Sequence, residues 1–173
     1  REGTRQENAL IEYNTEIIKL LKRESLNTKL SKKKHNTESV IVIQLADLHL
    51  NELVELESNK YDFDIASKRL QKYAYKVKEY VKFHKANKVL ICITGDLINS
   101  DRRLDEKLSM ATNRAKATFL GVHLLKHFIL DINEIAEVQV CCVTGNESRV
   151  NFELGWVDMV ASDNYDFTIF EML

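Results

Sequence analysis

Apolar and polar positions along the chain alternate between two rhythms. Three short runs, at 40–45, 89–93 and 138–143, are nearly continuous in Val, Ile, Leu and Cys. Between them lie two long stretches whose apolar residues recur every three or four positions. In the first, Ala66, Leu70, Tyr73, Val77, Tyr80 and His84 predict a helix over about 62–86. In the second, Leu104, Leu108, Ala111, Val122, Leu125 and Ile129 predict one helix over about 103–131. The residues between the first strand and first helix read as a loop, and 152–161 reads as a further helix that places Phe152 and Trp156 in the core. Strand–helix–strand–helix–strand with long connections predicts an α/β fold of parallel β-strands joined by crossover helices. The uninterrupted first run predicts a strand buried on both faces.

The polar residues that follow each run carry the chemistry. They are Asp47-Leu48-His49, Thr94-Gly95-Asp96 and Gly145-Asn146-Glu147. In an open α/β sheet, ligands gather outside the carboxyl ends of the strands, so the three segments are expected to meet there. Asp47 and His49 are two apart, and extended backbone would send both side chains to one face. A carboxylate with an imidazole suits Mn²⁺, Fe or Zn²⁺. Asp96 has two oxygens with which to bridge a pair of cations, and Asn146 offers a neutral amide oxygen. Gly95 and Gly145 sit where the backbone must turn and something must approach closely. Each segment alone is a weak signal, because a strand-ending Asp often only caps the next helix.

Composition sets the frame. The chain has 173 residues, 45% of them hydrophobic, which is enough for one core. Its formal net charge of −1 gives no global field for nucleic acid or membrane. The charge is unevenly spread: 60–88 holds nine Lys/Arg against three Asp/Glu, with Lys68, Lys72 and Lys76 as a ladder, while 132–173 holds one Arg against eight acids. Cys92, Cys141 and Cys142 fall in predicted strands and read as buried thiols of a reducing compartment, and no segment reaches the length of a membrane span. A cytoplasmic protein without membrane contact is the expectation. His123 and His127 stand four apart but lack the adjacent Glu of a zinc protease helix, so they read as helix-packing or solvent-edge residues. His84, at its helix end beside Lys85, is given no catalytic part. Asn99 and Asp101 either line the site or cap the following helix, capping being the favoured reading.

Residues 1–38 form a separate unit in this reading. Leu10, Tyr13, Ile17 and Leu20 predict an amphipathic helix over 5–24, and 19–34 carries seven basic residues and one acid as a connector. That N-terminal helix has three uses open to it: homodimer contact, DNA binding, or leaning on the main domain. The chain opens at Arg1 rather than Met, as a piece of a longer protein would.

Taken in order, these segments resemble the N-terminal half of the calcineurin-like metallophosphoesterase superfamily, whose pattern runs D-x-H, then G-D, then G-N-H/E. Within it, Gly145-Asn146-Glu147-Ser148-Arg149 is similar to the phage-associated and DNA-repair nuclease branch. The resemblance covers roughly 39–173 and implies half of a metallophosphoesterase β-sandwich. It implies that Asp47 and His49 hold one metal, that Asp96 bridges two, and that Asn146 binds the second. The two divalent metal ions would be manganese first, with Fe, Zn or Mg as alternatives, and a water activated between them would attack phosphorus. Phosphodiester bonds are the implied substrate, with nucleic acid favoured.

Two departures stand out. Where the family often has histidine after Asn146 this chain has Glu147, which would donate a proton only with a raised pKa. Arg149 offers a compensating contact to phosphate. No histidine follows Arg149, whereas the family supplies three more ligands from later segments. The expectation is therefore that about half of the catalytic domain lies elsewhere and that this stretch alone is inactive. The rival reading is a non-catalytic, degenerate phosphoesterase domain that binds DNA or protein. A receiver-like signalling domain fits less well, since the first strand lacks its paired acids.

Overall fold

The computed structural model describes residues 39–150 and 162–173. The expected leader over 1–38 and the helix expected at 152–161, with Phe152 and Trp156, lie outside the described residues. Strand β1 (Val40–Leu45) is followed by a small antiparallel hairpin, β2 (Val54–Glu55) and β3 (Lys60–Tyr61). Then come α1 (Phe63–His84), β4 (Lys88–Ile93), α2 (Leu104–Leu108), α3 (Arg114–Asn133), β5 (Glu137–Cys142) and α4 (Tyr165–Met172). β1, β4 and β5 form one sheet in the order β1-β4-β5, parallel throughout, so the α/β expectation holds.

Helix α1 matches its sequence period closely. Asp62 caps its start by accepting the Ile65 backbone N–H at 2.7 Å. Lys85 ends it in the left-handed conformation, φ 52°. Leu70, Ala74, Val77 and Val81 of α1 join Leu125, Phe128 and Ile132 of α3 in a core against Ile43, Val89, Ile91 and Ile93 of the sheet. Tyr73 stacks on Phe128, with ring centroids 5.7 Å apart.

Several expectations need correction. The stretch 103–131 is two helices, not one. Ser109 to Ala111 leaves the helical path to pair with the loop after β1: Leu53 N–H donates to the Ser109 carbonyl at 2.7 Å, and Ala111 N–H to Asn51 at 2.8 Å. Asn113 then caps α3 through the Lys116 N–H at 2.9 Å. Strand β1 is buried on one face alone: Ile43 and Leu45 are covered, while Val40 and Val42 are 52% and 62% exposed. Strand alternation explains this, because no described element packs on the opposite face. The cysteines follow suit. Cys141 and Cys142 are exposed and Cys92 is partly so, and Cys92 and Cys141 are register partners with sulfurs 3.3 Å apart. The hairpin β2–β3 and helix α4 were not expected from the sequence.

Candidate metal centre

The loops leaving β1 and β4 run on as neighbours past the ends of their strands. Thr94 N–H donates to Leu45 O at 2.9 Å, Asp47 N–H to Gly95 O at 3.1 Å, His49 N–H to Asp96 O at 3.1 Å, and Leu50 N–H to Leu97 O at 2.8 Å. The first two segments therefore lie side by side. Asp47, His49 and Asp96 all adopt positive φ, at 53°, 43° and 54°. Each such residue costs roughly 1–3 kcal/mol and persists only where its surroundings over-determine it, and such strain clusters at functional sites. The extended backbone expected at Asp47 and His49 is thus replaced by two left-handed residues. Their side chains still meet, with His49 Nε2 4.0 Å from Asp47 Oδ1.

The loop after β5 closes on the second segment. Val143 N–H donates to Ile93 O at 2.9 Å, extending the ladder. Gly95, at φ 93°, lies so close to Gly145 that a Cβ on it would strike the Gly145 backbone. A Cβ on Gly145 would in turn strike Asp96 Oδ1 and the Asp96 backbone nitrogen. What approaches these glycines is the other loop. Asp96 Oδ1 accepts the Glu147 N–H at 2.7 Å, and its Oδ2 accepts no hydrogen bond among the described residues.

Asp166, which the sequence reading passed over, holds this junction together. Fully buried in the first turn of α4, it accepts from Asp96 N–H and Gly145 N–H at 2.9 Å each. It also accepts from Leu97 N–H at 3.1 Å and from the Ser148 hydroxyl at 2.6 Å. Four donors balance the carboxylate, which otherwise would be expensive to bury. Asn164 adds a link, donating its amide to Gly145 O at 2.9 Å while accepting the Asp166 N–H at 2.8 Å. The available signal was an Asn two residues before an Asp at the start of an apolar run, an N-cap pattern.

A second buried group, Arg114, supports the third segment from below. Its guanidinium donates to Asp101 Oδ1 at 2.8 Å, to Glu147 O at 2.9 Å and to Arg149 O at 2.7 Å, and lies 4.6 Å over the Tyr165 ring. Asp101 is therefore the partner of Arg114, not a helix cap. Asn99 accepts the Ser100 N–H, again not capping. Glu147 Oε1 accepts the Asn146 amide at 2.6 Å and faces Arg102 Nη2 at 3.1 Å. Arg149 takes part through its carbonyl, and its side chain makes no ion pair among the described residues.

The expected ligands thus gather at one sheet edge in two subsets, Asp47 with His49, and Asp96 with the loop carrying Asn146. Among the described residues no three His, Cys, Asp or Glu side chains stand together as a metal-holding group. The donors left over do suit a divalent cation. His49 Nδ1 is buried without a hydrogen-bond partner among the described residues, Asp96 keeps one oxygen, and Asn146 uses its nitrogen on Glu147, which leaves its oxygen. Among the described residues no helix is long and apolar enough to cross a membrane. Comparison of the chain with protein-family models, with curated proteins and with solved structures found no match.

Proposed function

We propose that this domain is the metal-binding part of a metallophosphoesterase of the calcineurin-like type, hydrolysing phosphodiester bonds, with nucleic acid as the favoured substrate. One observation carries the reading: the three strand-end segments are interlocked, with three of the four expected ligands held at positive φ. Such an arrangement is difficult to account for as helix capping alone. The sheet face that no described element covers fits the same reading, since a second sheet laid there would complete a sandwich.

In this account Asp47, His49, Asp96 and Asn146 would hold the divalent cations. Bound cations of this kind lower the pKa of a water and neutralise charge on phosphoryl oxygens. The protein's own residues do the positioning. Asp166 fixes the backbone at Asp96 and Gly145, and the Glu147 N–H holds the Asp96 carboxylate through Oδ1. Glu147, engaged by Arg102 and Asn146, orients the Asn146 amide, which is a more natural role here than proton donation. The Arg149 side chain, which makes no ion pair among the described residues, offers a charge-assisted contact to a phosphate oxygen. Arg69 and Lys72 of α1, which make no ion pair among the described residues, supply positive charge for a nucleic-acid strand. By contrast Lys68 and Lys76 are already paired with Asp64 and Glu79.

The test is manganese-dependent hydrolysis of bis-p-nitrophenyl phosphate by the intact protein. Hydrolysis that needs Mn²⁺ and disappears in Asp96→Ala supports the reading, and equal turnover in that variant overturns it.

A further inference from the structure

A cavity of about 490 Å³ opens beside Asp47 and His49, within the size range of small-molecule sites. Its walls differ in chemistry. Leu48, Leu70 and Tyr73 give an apolar, partly aromatic side, Asn59 and Arg69 give polar groups, and Asp47 and His49 line it too. The hairpin β2–β3 forms one wall and is tied down by Tyr61, whose hydroxyl donates to the Leu48 carbonyl. Arg69 lies 5.3 Å over the Tyr61 ring, which pre-orients its guanidinium without neutralising it. No carboxylate pairs with Arg69 among the described residues.

We propose that this cavity seats the base and sugar of a nucleoside phosphate, with Arg69 on the phosphate and Asp47–His49 beside it. The proposal rests on the metal-dependent phosphoesterase reading and names its substrate class. A planar apolar group matches the Leu70–Tyr73 side, and the Asn59 amide offers both donor and acceptor to a base edge. Arg69 supplies the charge for one phosphate. The carboxylates of Asp47 and Glu52 also line the cavity, so a bare anion gains little there. Selectivity for nucleotide over free phosphate follows, because the base must contribute part of the affinity.

The experiment is calorimetric titration of the intact protein with adenosine 5′-monophosphate, adenosine and inorganic phosphate, each in EDTA and in Mn²⁺. The monophosphate should bind saturably in EDTA, and inorganic phosphate about tenfold or more weakly. Arg69→Ala should weaken the monophosphate by about tenfold, the loss of one charge-assisted contact, and leave adenosine nearly unchanged. Val54→Trp, which fills the cavity from the hairpin, should weaken both, with circular dichroism confirming the fold. Nucleotide binding no tighter than phosphate, or insensitive to both variants, would overturn the proposal. Selective nucleotide binding in EDTA without any Mn²⁺-dependent hydrolysis would keep the cavity's assignment while removing the phosphoesterase reading. Hydrolysis without selective nucleotide binding would do the reverse.

Discussion

The buried carboxylate of Asp166 accepts the backbone N–H of Asp96 at 2.9 Å, across seventy residues of sequence. Since the same oxygen accepts from Gly145, one side chain fixes the relative position of two strand-end loops. Asp166→Ala strands three backbone donors and a hydroxyl in a site water reaches poorly. Hydrogen bonds to a charged group contribute about 1.5–3 kcal/mol each, and part of this is recovered by relaxation, so a loss of about 3 kcal/mol is expected. Urea denaturation of the variant measures it. A change below about 1 kcal/mol would place Asp166 among ordinary surface-type substitutions and remove its organising role.

Gly145→Ala tests the same junction by steric means. Its methyl would meet the Asp96 carboxylate and backbone, and backbone cannot yield as a flexible side-chain tip can. The variant should lose stability and Mn²⁺ affinity together, read by thermal melting and metal titration. An alanine accepted without cost in either would mean the two loops are not in contact.

How much of this was legible in the sequence follows from which interactions are local. The three strands and α1 were readable because apolar runs and a three-to-four period record burial directly. The break at Ser109–Ala111 was not, since it is caused by pairing with Asn51 and Leu53 more than fifty residues earlier. Strand β1 misled for a related reason: a run such as VIVIQL looks the same whether one face or two are covered. At the site, Asp47, His49, Asp96 and Asn146 stood out by position after strands, and the structure places all four at one sheet edge. Asp166 and Arg114 did not stand out, because their partners are mostly backbone groups, which leave no mark on residue identity.

Arg114 makes a related prediction. Its fork reaches Asp101 and two carbonyls at once, a geometry that an ammonium cannot reproduce. Arg114→Lys should therefore cost about 2 kcal/mol despite keeping the charge. Equal chemical denaturation midpoints for the two proteins would show that charge alone matters there.

Tyr61 gives a pH dependence of definite sign. Burial pushes its phenol up to about 12, above the value of about 10 expected in an unfolded chain. The folded state thus disfavours the phenolate. The associated stability is fully present below the unfolded value and is lost as pH rises from about 10 through about 12. Thermal midpoints of the protein should fall over that window, and Tyr61→Phe should remove this component. Parallel pH curves for the two proteins would contradict it.

The central claim is that Asp47, His49, Asp96 and Asn146 act as one metal-binding edge. Its most direct measurement is a Mn²⁺ titration of the intact protein followed by electron paramagnetic resonance, compared with His49→Ala and Asp96→Ala. The account predicts saturable binding of two ions, lost in part for His49→Ala and more severely for Asp96→Ala. Binding of the same number of ions with the same affinity in both variants would contradict it.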